Sequence, residues 1–157
     1  MSGAHRPIER VRPPDAFIRL GNPVVRRLVE RGLGGDELAV LHFTGRRSGR
    51  HLDVPVGTRR VDGVPCVFTD RPWRHNFAAG RDLDVTSRGR RRAVHGVLVD
   101  DPDVVAGIYL RLLEGHDARW ARRHLGLRLA AGSPPLLEDL VALVRETETS
   151  IVRLLPR

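Results

Sequence analysis

The chain contains no lysine: all 27 of its basic residues are arginine. It has one cysteine, Cys66, so an internal disulfide is excluded and nothing argues for an oxidising compartment; the expected location is cytoplasmic. Aromatic residues make up only 4% of the chain, which counts against a single-strand nucleic-acid binder built on stacking platforms. No stretch approaches the roughly 18 consecutive apolar residues of a membrane helix, so no transmembrane segment is expected. The opening MSGAHRPIERVRPPD is basic but has no apolar centre, so no secretory signal is expected. Broken by Pro7, Pro13 and Pro14, residues 1–20 read as a flexible lead-in, and residues 21–157 as a single domain.

Charge is what the chain has in excess. The 27 basic residues outnumber 19 acidic ones, for a net charge of +8. Genome composition accounts for the choice of arginine over lysine, but not for the surplus over acids. The surplus implies an anionic partner: nucleic acid, an anionic membrane surface, or a small ligand with several phosphates or carboxylates.

Residues 22–34, NPVVRRLVERGLG, read as an amphipathic helix with Val24, Val25, Leu28 and Val29 as its stripe, opened by Asn22 and Pro23. Residues 38–44 form an apolar run of strand length. Residues 51–61 alternate, with Leu52, Val54 and Val56 on one face and Pro55 marking an edge or bulge. Asp62–Gly63 predicts a tight hairpin into a strand over 64–69. A short helix over 71–80, two strands over 83–89 and 92–100, helices over 101–115, 116–127 and 133–147, and a last strand over 150–156 complete the reading. Five or six antiparallel strands joined by short hairpins argue against a doubly wound parallel sheet. They favour an α+β, mainly β architecture: a small barrel with helices attached.

Between the first two strands lies TGRRSGR, residues 44–50. Gly45 and Gly49 permit positive φ and expose backbone N–H groups that can curl round an oxyanion. Arg46, Arg47 and Arg50 add planar forks suited to phosphate or carboxylate, and Ser48 adds a hydroxyl donor. Spacing alone leaves a solvated hairpin open as the other reading. It is not a phosphate loop of the lysine-containing type.

In order along the chain, FTGRRSGRHLDVPV, DGVPCVFTDRPWRHNFAAG and a basic strand pair resemble the deazaflavin-dependent nitroreductase family. That family belongs to a flavin and deazaflavin oxidoreductase group built on a split β-barrel of the FMN-binding type. The resemblance covers residues 22–127. It implies an 8-hydroxy-5-deazaflavin coenzyme of the factor 420 type, with FMN as second choice, and hydride transfer to a quinone, nitroaromatic or enone acceptor. It also implies that Arg46, Arg47, Ser48, Gly49 and Arg50 grip the cofactor's phosphate region. Val54 and Pro55 would border the ring, and Thr69, Trp73 and Asn76 would lie beside it. Two positions depart from the pattern. Only Asp70–Pro72 separate Thr69 from Trp73, which leaves Arg71 or Arg74 to hold the tail, and Arg74 stands where a tyrosine is common. Hydride chemistry belongs to the cofactor, which accords with the lack of a catalytic triad and leaves catalytic residues unassigned.

Other residues carry weaker signals. Cys66 reads as core. The seven histidines show no metal-ligand spacing, so no metal site is assigned, and His75 is the one beside the Trp73–Asn76 motif. SRGRRR, residues 87–92, reads as a charged hairpin turn rather than a nucleic-acid contact. Trp120 reads as packing, or as the mouth of a pocket. The alternative function is a non-catalytic binder of the same fold holding FMN, heme or a nucleotide; a homodimer is compatible with either.

Overall fold

The computed structural model describes residues 7–11, 22–132 and 134–157. The described elements are β1 (Ile8–Arg10), α1 (Asn22–Glu30), β2 (Leu38–Thr44), β3 (His51–Gly57), β4 (Arg59–Val61), β5 (Val64–Thr69), β6 (Arg81–Ser87), β7 (Arg90–Val99), α2 (Pro102–Leu113), α3 (Ala118–Leu125), β8 (Leu127–Leu129), α4 (Leu137–Thr147) and β9 (Ser150–Pro156), with short 3-10 turns at Gly35–Glu37 and Pro72–Phe77.

Seven strands form one antiparallel sheet in the order β3–β2–β6–β7–β9–β5–β4. β3 and β4 stand at opposite ends of that order, yet only Thr58 separates them in the chain. A sheet can satisfy both conditions only by curling until its two edges adjoin. Thr58 is buried, and its N–H donates to the carbonyl of Glu37 at 2.8 Å, which fixes the bend. Tight hairpins supply the sharp connections. Asp62 and Gly63 have φ of 52° and 77°, and Arg88 and Gly89 have 50° and 72°, the mirror-image turn geometry that matches strand twist.

The two-residue period of the strands sorts their side chains. Ala39, Leu41 and Phe43 of β2 point into the curl, where they meet Val56, Val67, Val85, Val94, Val152 and Leu154. Phe77, fully buried, fills the same interior, and its removal would cost about 3–5 kcal/mol. The alternate β2 residues face outward: Val40 meets Val29 of α1. On the far side, α2 and α4 cover β5 and β9 through Val105, Tyr109, Leu140 and Val144 against Phe68 and Ile151. Burial pushes the Tyr109 phenol far above its ordinary range.

Several expectations change. There are nine strands among the described residues, and the run 51–61 is two of them, because one straight strand cannot serve both edges of a curled sheet. Within the expected lead-in, Ile8–Arg10 is a strand paired with β8, and Ile8 is only 4% exposed beneath the helices. The 116–127 helix stops at Leu125, where Gly126 takes a left-handed cap at φ 66° and the chain turns into β8. The 71–80 segment is a 3-10 turn over Pro72–Phe77. Of the α1 stripe, Val29 is buried, but Val24 and Leu28 are exposed; the side chain of Val25 and residue 133 lie outside the described residues.

Candidate functional site

The TGRRSGR connection folds onto itself. The Gly45 N–H donates to the Arg50 carbonyl at 2.8 Å, and the Gly49 N–H donates to the Gly45 carbonyl at 2.9 Å. The Arg50 N–H reaches Ser48 Oγ at 3.2 Å. Gly49 sits at φ 66°, which favours glycine, and a Cβ on Gly45 would lie 2.6 Å from Ser48 Oγ and displace that hydroxyl. Arg46, Arg47 and Arg50 are left exposed. At the base, Arg81 Nη1 donates to the Thr44 carbonyl at 2.8 Å.

A second segment faces this loop. Thr69 ends β5, and its Oγ1 accepts the Arg71 N–H at 3.0 Å, starting the Pro72–Phe77 turn. Phe77 anchors the turn in the interior, with Phe43 edge-on at 5.0 Å between ring centroids. Trp73 rests on both rings, at 6.1 Å from Phe43 and 6.2 Å from Phe77, and is half-buried. Arg74 Nη1 turns back onto the carbonyls of Asp70 and Arg71. Asn76 bridges the two segments: its Nδ2 donates to the Trp73 carbonyl at 2.8 Å, and its Oδ1 accepts the Arg46 N–H at 2.8 Å.

Between them is a cavity of about 350 Å³. Gly45, Arg46, Arg47 and Ser48 form one wall, and Pro72, Trp73, His75 and Asn76 form the other, with Leu52 of β3 between. Of the residues singled out in the sequence, Arg46, Arg47, Ser48, Trp73 and Asn76 line it together. Gly49 and Arg50 shape the loop without lining the cavity. Val54 packs into the interior, Pro55 lies buried on the opposite face across from Val40, and Thr69 is buried beneath the turn. Leu52 was not anticipated, although it shares a strand face with Val54.

The outer face of β2 and β3 holds a polar cluster that the sequence reading missed. His42 and Asp53 are directly opposite in the ladder. His42 Nδ1 lies 2.6 Å from Asp53 Oδ1, and His51 Nε2 lies 2.8 Å from the same oxygen. A carboxylate only accepts, so both ring nitrogens facing it carry the proton. In the neutral ring, His42 Nε2 accepts from Thr86 Oγ1 at 2.8 Å, inside the protein. Arg26 reaches Asp53 Oδ2 at 3.3 Å. Burial alone would push the Asp53 carboxyl up, but the hydrogen bonds from His42 and His51 and the charge of Arg26 outweigh it and hold the carboxyl below its ordinary range. The signal available in the sequence was one histidine and one aspartate inside otherwise apolar strands.

No family model matches the chain, and no curated protein matches it. Among solved structures it is similar to the FAD and heme binding protein from Mycobacterium smegmatis, with 19% identity over 84% of this chain and 66% of that one and a TM-score of 0.45. It is similar to a protein of unknown function from Agrobacterium tumefaciens strain C58, with 18% identity over 93% of this chain and 57% of that one and a TM-score of 0.46. An F420 reductase matches at 19% identity over 82% of this chain and 93% of that one, with a TM-score of 0.40. The chain therefore spans less than two thirds of the length of the first two. Among the described residues, no helix is long and apolar enough to cross a membrane.

Proposed function

We propose that the chain is a cofactor-binding oxidoreductase of split β-barrel fold, FMN-binding-like in architecture, which takes an 8-hydroxy-5-deazaflavin coenzyme and passes a hydride to a small organic acceptor. One observation carries the reading. The arginine loop and the Trp73 turn, the two segments on which the family resemblance rests, form the two walls of one cavity and are latched by Arg46 and Asn76.

The lining fits such a group. The cavity is of the size that takes a cofactor or drug-sized molecule. Trp73 and Leu52 offer an apolar face for a tricyclic ring, and Arg46, Arg47 and Ser48 offer cationic and hydroxyl donors for a phosphodiester stem. When bound, the coenzyme supplies the hydride chemistry. The chain's own part is to seat the stem on the arginines, stack the ring against Trp73 and hold the loop closed through Asn76. In this reading, Arg50 and the surplus of positive charge draw the coenzyme's acidic tail to the cavity mouth.

A protein that carries the cofactor without turning it over is the second reading. The lining residues are cationic, amide, hydroxyl and apolar groups with no carboxylate beside His75, a composition that serves binding. Oxidation of the reduced coenzyme with a panel of quinones, nitroaromatics and enones decides between them. Catalysed oxidation by any of them supports the enzyme; saturable binding with no oxidation supports the carrier. A parallel titration with FMN tests the choice of cofactor, and tighter binding of FMN would reverse it.

A further inference from the structure

We propose that His42, His51 and Asp53 form a binding site for one divalent transition-metal ion, of which zinc is the suitable probe, on the outer face of the sheet at the root of the 45–50 loop. This reading is independent of the cofactor cavity.

Two imidazoles and a carboxylate converge on one point. His42 Nδ1 and His51 Nε2 both address Asp53 Oδ1, at 2.6 and 2.8 Å, and the three donor atoms all lie within 4.8 Å of one another. The two rings are nearly parallel, 9° apart with centroids separated by 6.4 Å, so their nitrogens are presented side by side. Strand register sets this arrangement. His42 faces Asp53 across the β2–β3 ladder, and His51 lies two residues before Asp53 on the same face. Nitrogen and carboxylate donors in this combination suit zinc, nickel and copper(II) rather than magnesium or calcium.

An ion at bonding distances of about 2.0–2.2 Å needs its donors roughly 3.3 Å apart, so the two His–Asp separations of 2.6 and 2.8 Å have to widen by roughly half an ångström or slightly more. His51 allows this, since its side chain is 58% exposed, and it leaves further coordination positions open to water. His42 is ready on its other side. When Nδ1 takes the ion, the ring proton moves to Nε2, where Thr86 Oγ1 turns from donor to acceptor and fixes the tautomer. Arg26 opposes binding: it occupies Asp53 Oδ2, not the Oδ1 on which the histidines converge, but it places a positive charge beside the ion.

The test is calorimetric titration of the untagged, chelator-stripped full chain with zinc alone. The expected result is saturable binding of one ion per chain. His51→Ala, at an exposed position, should abolish it while the metal-free chain still unfolds cooperatively. Thr86→Val should weaken it by about tenfold, and Arg26→Ala should tighten it. The copper(II) form should show nitrogen coupling from two imidazoles in its paramagnetic resonance spectrum. The proposal is overturned by no saturable zinc binding, by binding that persists unchanged in both His51→Ala and Asp53→Asn, by weaker binding in Arg26→Ala, or by a copper spectrum without nitrogen donors.

Discussion

The backbone N–H of Arg46 donates to Oδ1 of Asn76 across 2.8 Å, joining the hairpin loop after β2 to the turn after β5. The amide of Asn76 is therefore engaged on both ends, since its Nδ2 also donates to the Trp73 carbonyl. In the proposed function, Asn76 sets the distance between the arginines and the tryptophan.

Asn76→Ala should loosen that latch. Losing a net hydrogen bond worth about 1 kcal/mol from the bound geometry predicts coenzyme affinity lower by about fivefold. Asn76 is partly exposed, so the melting temperature should change little. A binding titration paired with thermal unfolding checks both.

Gly96→Ala tests the interior. A Cβ at Gly96 would stand 2.7 Å from Phe77 Cδ1 and 3.0 Å from Leu83 Cδ2, and Phe77 is fully buried with nowhere to retreat. Overpacking of this kind costs about 1–3 kcal/mol. Urea unfolding should show that loss. Because Phe77 roots the Trp73 turn, coenzyme affinity should fall with it.

Asp53 sets an acid limit. Its carboxyl sits below its ordinary range in the folded state, so the stability it contributes is complete above the unfolded carboxyl's pKa of about 3.9. That contribution is lost as pH falls from there through the lower folded value. Arg26, His42 and His51 all face this carboxylate. Asp53→Asn should be less stable than the parent at neutral pH, and the gap should close as the solution is acidified. Urea midpoints measured across that range give the comparison; a gap that widens on acidification would contradict it.

Much of this was legible along the chain. The apolar run 38–44, the Asp62–Gly63 hairpin and the Asp101 cap, whose carboxylate accepts the Asp103 N–H at 2.8 Å, are written in local chemistry. The loop stands out by itself, because glycines and arginines in so short a connection are locally conspicuous, whereas its pairing with the Trp73–Asn76 turn comes only from the family resemblance. What could not be read depends on closure and register. The break at Thr58 exists only because the sheet curls. The pairing of Ile8–Arg10 with Leu127–Leu129 joins three-residue strands from opposite ends of the chain. His42 meets Asp53 only once the β2–β3 register is fixed, and the loop between them leaves that register open in sequence.

The most direct measurement is a fluorescence titration of the oxidised deazaflavin coenzyme with the parent chain and with the Arg46→Ala/Arg47→Ala variant. Charge-assisted hydrogen bonds contribute on the order of 1.5–3 kcal/mol each, so saturable micromolar binding by the parent should weaken by at least about a hundredfold in the variant. Failure of the parent to saturate, or equal affinity in the two proteins, would contradict the claim that this loop clasps the stem of a redox coenzyme.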